Sequence, residues 1–190
     1  MQTEICAVCE KPVKDCICCP ECSHICSLDY GEEYCPVCFP EKNPDERFMR
    51  LALTEAQKAF LRDEVPVGAV LVKNNIVITS ACNMRETEND PSAHAELTAL
   101  RDGASLLKSW RLTDAVLYVT KEPCVMCAGA MVNARLGRVV YGCADEKGGA
   151  VNSLYRILSD KRLNHQVEVV SGVLADECAA LLRDFFQKRR

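Results

Sequence analysis

The sequence predicts a three-layer α/β domain preceded by a small cysteine-rich module. After residue 44, β-branched runs alternate with amphipathic segments, which is typical of a sheet covered by helices on both faces. Before that point the chain carries nine of its 14 cysteines and little hydrophobic periodicity. A chain of 190 residues with 48% apolar residues can bury one good core and still hold a second small module. We therefore expect two units, residues 1–43 and 44–190.

The composition favours a soluble, cytoplasmic protein without a membrane partner. No charged-then-apolar leader precedes the first cysteine, and charged residues interrupt every apolar run before it reaches the roughly 18 to 20 residues of a membrane helix. In a reducing cytosol, closely spaced cysteines are more often metal ligands than disulfides. The net charge of −4 argues against strong non-specific binding to nucleic acid, although residues 187–190 form a small basic patch.

The first half of the main domain is predicted to run helix, hairpin, loop and helix. Apolar residues recur at helical spacing from residue 45 to about 62. Residues 67–72 and 76–82 are β-branched runs joined by a short polar link, as in a hairpin. A loop then leads to Ser92, a candidate N-cap for a helix that continues to about Leu107.

The second half is predicted to continue the alternation of strands and helices. Residues 116–120 form a buried strand, after which Pro123 stops extension and can open a helix over residues 124–134. Two further strands and a final amphipathic helix are predicted at residues 139–141, 167–170 and 175–188.

His94, Cys124 and Cys127 are the candidate ligands of a catalytic zinc ion. Such a site has three protein ligands and leaves the fourth tetrahedral position to water. The two cysteines lie three residues apart on a helix, so both thiols can face one ion. Glu96 is offset by about 200° from His94 on an ideal helix, which makes it a poor fourth ligand. We therefore predict that Glu96 moves protons between water, the ring nitrogen and the departing ammonia.

The two motifs together are more specific than either motif alone. A single CxxC after a strand could be a redox pair or half of a structural zinc site, and a single HxE carries little information. HxE followed by PCxxC, each at the start of a helix, is the pattern of zinc deaminases that act on nucleobases. The chemistry indicated by the residues is therefore hydrolytic deamination.

Longer stretches of residues 45–190 resemble the bacterial tRNA-specific adenosine deaminases of the cytidine-deaminase-like superfamily. The resemblance implies a central mixed five-stranded sheet flanked by helices. It also implies conversion of the wobble adenosine of an arginine tRNA to inosine, by a homodimer that binds the anticodon stem-loop. The matching stretches are EVPVGAV, NDPSAHAE, LYVTKEPCVMCAGAM, RVVYG and LADECAALLRDFF.

The same resemblance assigns substrate roles to five further positions. Asn83 would hydrogen-bond the flipped nucleoside, Ala95 would offer a backbone contact, and Glu122 would support the active-site loop. Asp145 would lie near the nucleotide backbone, and Phe185, or else Phe186, near the anticodon-binding surface. Simpler roles are open as well: Asn83 as a turn former, Asp145 as a loop carboxylate and Phe185 as a core residue.

Lys121 departs from the family pattern, because that position of the TLEPC motif is usually apolar. A lysine there can change the electrostatics of the site without replacing a ligand.

The cysteine-rich residues 1–43 fall outside the resemblance. Their ligands could fill one or two tetrahedral zinc sites, and metal binding would supply the folding energy that burial cannot. How the ligands divide between sites is open, and so is the partner of this module; an RNA or a protein is the leading hypothesis. The candidate ligands are Cys6, Cys9, Cys16, Cys18, Cys19, Cys22, His24, Cys26, Cys35 and Cys38.

Two other functions are compatible with the sequence. A deaminase of a free base or nucleoside, such as guanine or cytidine, would share the zinc motif. A zinc-knuckle adaptor with an inactive deaminase scaffold would share the fold, but all three ligands and the glutamate are present.

Overall fold

A mixed five-stranded sheet forms the centre of residues 44–189, which are the part of the chain that the computed structural model describes. The predicted module at residues 1–43, with all its candidate zinc ligands, lies outside the described residues. The helices are α1 (Pro44–Leu61), α2 (Arg85–Glu88), α3 (Ala95–Leu106), α4 (Val125–Asn133) and α5 (Ala175–Lys188). The strands are β1 (Gly68–Lys73), β2 (Ile76–Cys82), β3 (Ala115–Lys121), β4 (Arg138–Cys143) and β5 (Glu168–Ser171).

The sheet has the strand order β2-β1-β3-β4-β5 and carries helices on both faces. β1 pairs antiparallel with β2 and β3, whereas β3, β4 and β5 run parallel. Alternate residues of β1 enter different cores: Leu71 packs in the cluster that contains α3 and α4, and Val70 packs in the cluster that contains α1 and α5. This confirms the predicted three-layer α/β fold with a mixed five-stranded sheet.

The hairpin between β1 and β2 closes where the sequence predicts it. Asn74 and Asn75 both have positive φ, at 53° and 60°, as the two central residues of a type I′ turn require. Asparagine tolerates this left-handed conformation better than most residues. The bounds of the other predicted elements agree with the structure to within three residues. None of the helices in residues 44–189 is long and apolar enough to cross a bilayer.

Two details near the HxE motif differ from the prediction. Ser92 is not the N-cap of α3, because its N–H and hydroxyl both donate to Asp90 Oδ1 at 2.7 Å, and α3 begins at Ala95 with His94 as N-cap. Arg85–Glu88, predicted as loop, forms one helical turn that ends at Asn89 in the left-handed conformation. Both differences come from hydrogen bonds that hydrophobic periodicity does not report.

Asp45 ties the first turn of α1 to the middle of the sheet. Its carboxylate is 8% exposed and accepts a hydrogen bond from Tyr118 on β3 at 2.9 Å. Arg138 on β4 donates to both carboxylate oxygens, at 3.0 and 2.7 Å. Burial and the hydrogen bond to Asp45 raise the pKa of Tyr118 above its ordinary value, so the hydroxyl stays protonated and remains a donor. The N-terminus of α1 is thus held by a buried, charge-assisted network.

Removal of the Asp45 carboxylate should destabilise the domain. We expect Asp45→Ala to lower the free energy of unfolding by about 3 kcal/mol, because it leaves a partly buried guanidinium without its bidentate partner. Tyr118→Phe removes one hydrogen bond and should lower it by about 1 kcal/mol. Urea denaturation measures both, with Asp114→Ala as control, since Asp114 forms an exposed pair with Lys73. Equal effects of Asp45→Ala and Asp114→Ala would contradict this role.

Candidate active site

The N-termini of α3 and α4 bring the three predicted ligands together. His94 is the N-cap of α3, Cys124 is the N-cap of α4, and Cys127 is the third residue of α4. His94 Nδ1 lies 3.7 Å from Cys124 Sγ and 3.5 Å from Cys127 Sγ, and the two sulfurs are 3.6 Å apart. Neither N-cap side chain caps its own helix, so the imidazole and the thiol are available to a ligand.

This triangle of donor atoms fits one tetrahedral zinc ion. With Zn–S bonds of about 2.3 Å and Zn–N bonds of about 2.0 Å, tetrahedral angles separate two sulfurs by roughly 3.8 Å and sulfur from nitrogen by roughly 3.5 Å. The observed separations agree with these values to within about 0.2 Å. One nitrogen and two sulfurs are also a donor set that zinc favours. Three protein donors leave a fourth position open, as a catalytic site needs.

The surroundings of Cys124 favour its thiolate form. Hydrogen bonds from the Cys127 side chain and from His94 lower the pKa of the Cys124 thiol to about 3, despite partial burial. The N-terminus of α4 contributes in the same direction through its free N–H groups and its dipole. A thiolate is the form of cysteine that binds a metal ion.

Glu96 lies beside the donor triangle but outside it. Among residues 44–189, the group of donor atoms within 4.8 Å of one another consists of His94, Cys124 and Cys127. Glu96 is the second residue of α3, is 4% exposed, and forms a side-chain hydrogen bond with Cys127. Burial raises the pKa of Glu96 above its ordinary value. This placement suits a carboxyl group that exchanges protons with a neighbouring ligand.

Glu122 anchors the loop that follows β4. Its carboxylate is 2% exposed and accepts from the backbone N–H groups of Asp145, Val151, Asn152 and Ser153, and from the Ser153 hydroxyl. Burial alone would raise the pKa of Glu122, but these hydrogen bonds outweigh burial and lower it to about 2. Because Glu122 lies two residues before Cys124, the loop is held next to the triangle of His94, Cys124 and Cys127.

Gly149 has no room for a side chain beside Glu122. An added Cβ would lie 2.4 Å from the carboxyl carbon of Glu122. Gly149 also forms an isolated β-bridge with Cys124. The glycine therefore lets the loop backbone approach both the carboxylate and a ligand of the triangle.

Asp145 is paired with Lys121, the residue that departs from the family pattern. Lys121 Nζ lies 2.6 Å from Asp145 Oδ2, and the Asp145 side chain is 16% exposed. The other carboxylate oxygen accepts from the N–H of Lys147 at 3.2 Å. The lysine therefore offsets the negative charge of the carboxylate at the start of this loop.

Asn83 and Ala95 both belong to segments that adjoin the turn carrying His94. Asn83 follows β2 and is 6% exposed, and its side-chain N–H₂ donates to Glu64 Oε2 at 2.9 Å. The next residue, Met84, donates its N–H to Ala93 at 3.0 Å, which joins this segment to the turn before His94. Ala95 is fully buried as the first residue of α3.

The two phenylalanines near the end of α5 differ in exposure. Phe185 is 3% exposed and packs edge-on against Phe60 of α1, with ring centroids 5.8 Å apart. Phe186 is 51% exposed. Phe186 is therefore the more accessible of the two rings, whereas Phe185 contributes to the packing of α5 on α1.

Glu64 is a residue of the site region to which the sequence pattern assigned no role. It is fully buried and bonded to Asn83 and to the N–H of Thr87. The available signal was an acidic residue four positions before a buried strand, since acidic residues are rarely buried without a specific partner. Its partner could not be identified from sequence, because Asn83 lies 19 residues away.

Comparison with known proteins places most of the chain among nucleobase deaminases. Residues 43–190 match the family model of the MafB19-like deaminases. The tRNA-specific adenosine deaminase of Bacillus subtilis is 50% identical over 146 residues, which make up 77% of this chain and 91% of that protein.

Solved structures of deaminases are also similar to this chain. A structure from studies of A-to-I editing by tRNA:A34 deaminases at the wobble position is 47% identical, with a TM-score of 0.69 over 71% of this chain and 98% of its own. The guanine deaminase of Bacillus subtilis is 40% identical, with a TM-score of 0.50 over 52% of this chain and 64% of its own. The likeness to the tRNA deaminases is thus the more extensive one.

Replacement of the Glu122 carboxylate should loosen the loop that it anchors. In Glu122→Gln one acceptor oxygen becomes an N–H₂ donor that faces donors, so we expect the free energy of unfolding to fall by about 2 kcal/mol. Deaminase activity should fall as well, with the zinc content unchanged. Denaturation, metal analysis and activity assays measure these effects. The matched control is Glu146→Gln in the same loop, where the side chain is exposed; an equally stable Glu122→Gln variant would refute the anchoring role.

Proposed function

Because the chain belongs to the MafB19-like deaminase family and is 50% identical to a tRNA-specific adenosine deaminase, we propose that it converts the wobble adenosine of a tRNA anticodon to inosine. The observation that carries this proposal is the match over nearly the whole length of the Bacillus subtilis tRNA deaminase. The reaction consumes one water and releases one ammonia. An anticodon loop suits it, because its bases are unpaired and can be extruded at low energetic cost.

His94, Cys124 and Cys127 would hold the catalytic zinc ion. Zinc bound in this way lowers the pKa of water to near 7 and so makes a nucleophile available at neutral pH. The donor set and its separations support this assignment. Cys127 is fully buried, which keeps one side of the triangle away from solvent.

Glu96 would carry the protons of the reaction. It takes a proton as the water oxygen bonds to C6 of the adenine, and it delivers that proton to N1 of the ring. The proton of the new C6 hydroxyl then passes through Glu96 to the amino group, the C6–N6 bond breaks, and ammonia leaves while the C6 oxygen becomes the carbonyl of inosine. The buried position of Glu96 next to the donor triangle supports this role. A carboxylate can perform both steps because it is regenerated within one turnover.

Substrate binding would use the residues around this centre. Asn83 hydrogen-bonds the flipped nucleoside, the backbone at Ala95 contacts it, and the loop anchored by Glu122 borders it. Asp145 lies near the nucleotide backbone, where Lys121 reduces its charge. The exposed ring of Phe186, next to the buried Phe185, offers a surface to the anticodon loop.

We further propose that an arginine tRNA is the substrate and that the active form is a homodimer in the cytoplasm. Val125 and Met126, at the start of α4 next to Cys124, are 50% and 37% exposed and offer an apolar surface to a second copy.

The chain should form inosine in tRNA and leave free adenosine, cytidine and guanine unchanged. Glu96→Gln should retain zinc and lower kcat by about 10² to 10⁴-fold, since the proton shuttle is lost. Sequencing of a tRNA pool after incubation detects inosine, and Glu46→Gln on the exposed face of α1 serves as control. Turnover of guanine or a free nucleoside without tRNA turnover would support the rival base deaminase instead. No turnover of any substrate would support an inactive scaffold.

We also propose that residues 1–43 hold one or two structural zinc ions and bind an RNA or protein partner. Three CxxC pairs and further cysteine and histidine candidates within 38 residues support this proposal. In this segment zinc supplies the folding energy.

Metal analysis of the full chain tests the structural zinc. We expect two or three zinc ions per chain, of which Cys127→Ser removes one. The double substitution of Cys19 and Cys22 by serine should lower the zinc content without abolishing deaminase activity. A stoichiometry of one zinc ion per chain, lost entirely in Cys127→Ser, would contradict a structural site.

A further inference from the structure

Glu64 is a buried carboxylate that forms no direct salt bridge within residues 44–189, although the charges of Arg85 and Arg189 act on it from farther away. It is 0% exposed; Oε2 accepts from Asn83 Nδ2 at 2.9 Å, and Oε1 accepts from the N–H of Thr87 at 2.6 Å. Burying a carboxylate without a cation in direct contact costs free energy, and a neutral residue of similar volume would occupy the same space at a lower cost. An ionised carboxylate at this position therefore indicates a functional role for Glu64.

The position of Glu64 connects it to the active site. It lies just before β1, and Asn83 lies just after β2, the antiparallel neighbour of β1. The N–H of Asn83 also donates to Val67 at 2.9 Å, which continues the pairing beyond the strands. Through the bond from Met84 to Ala93, the same segment is joined to the turn that carries His94. Hydrogen bonds of Asn83 and Met84 therefore connect Glu64 to the turn that carries His94.

An ionised carboxylate can only accept hydrogen bonds, whereas a carboxamide can present either its oxygen or its N–H₂ group. Burial raises the pKa of Glu64, but hydrogen bonds from Thr87 and Glu86 and the charge of Arg85 outweigh it and hold the pKa below its ordinary value. Glu64 therefore remains ionised at neutral pH and requires that Asn83 present its N–H₂ group to it. Within the described part of the chain, no group donates a hydrogen bond to Asn83 Oδ1. This oxygen is also not a buried atom without a partner, so a ligand can reach it.

We propose that Glu64 is a positioning residue that fixes the direction of the Asn83 carboxamide, so that its oxygen accepts a hydrogen bond from the nucleoside. This inference rests on the proposed function, in which Asn83 contacts the substrate. The donors that an adenosine offers are its amino group and its ribose hydroxyls, because its ring nitrogens are acceptors. Correct orientation of Asn83 therefore selects which edge of the nucleoside can bind.

A swap of charge between the two positions tests the proposal. In Glu64→Gln the side-chain oxygen stays with the N–H of Thr87, so the new N–H₂ group faces Asn83 and turns its amide around. In Asn83→Asp two carboxylates face each other. In the double variant Glu64→Gln with Asn83→Asp, the glutamine donates to the aspartate, whose second oxygen again faces the nucleoside.

We expect kcat/KM for tRNA deamination to fall at least 10-fold in Glu64→Gln, mainly through a higher KM, and at least 100-fold in Asn83→Asp. The double variant should recover at least 10-fold over Asn83→Asp. Activity of Glu64→Gln within twofold of the wild type, or a double variant no better than Asn83→Asp, would overturn the proposal. The zinc content should not change in any of these variants.

Two measurements separate this role from a purely structural one. Glu55→Gln is the matched control, because Glu55 is also buried, at 8% exposure, but accepts from Ser80 and Lys58. The NMR signal of the Asn83 side-chain amide, assigned by its loss in Asn83→Asp, should shift in Glu64→Gln and stay in place in Glu55→Gln. An unshifted signal would reject the coupling. If the wild type leaves tRNA unchanged, the proposed function fails, and the NMR signal still decides whether Glu64 orients Asn83.

Discussion

The site depends on the meeting of two helix N-termini at the end of the sheet where β2 and β3 finish. β3 leads directly into α4, and α3 packs beside α4 in the same core, so His94, Cys124 and Cys127 converge although about 30 residues separate the histidine from the cysteines. The free N–H groups at both helix starts favour negative charge, which stabilises a thiolate ligand. A small change in the packing of α3 on α4 would alter the distances on which a tetrahedral metal site depends.

Two buried carboxylates hold the loops on either side of this triangle. Glu122 gathers four backbone N–H groups of the loop after β4, and Glu64 holds Asn83 and the start of the short helix α2. Both groups are acceptors only, so each dictates which donors must face it. A rigid scaffold of this kind lets loop residues contact a substrate without a large loss of conformational entropy on binding.

Most of the fold followed from hydrophobic periodicity. All five strands and the four longer helices were predicted, because each buries a regular face against the sheet. The helix α2 and the start of α3 do not follow from periodicity, because both depend on hydrogen bonds that the Glu64 and Asp90 carboxylates accept. Such bonds form between particular atoms and leave no periodic pattern in the sequence.

The sequence by itself determined the residues of the candidate site, because one histidine, two cysteines three residues apart and a nearby glutamate form a donor set that could hold zinc and a proposed proton carrier wherever the fold brings them together. Only the tertiary structure decided how the surrounding residues act. It paired Lys121 with Asp145, buried Phe185 while exposing Phe186, and joined Glu64 to Asn83. Local spacing encodes ligands on one helix, whereas contacts between strand ends and loops depend on how the whole sheet is assembled.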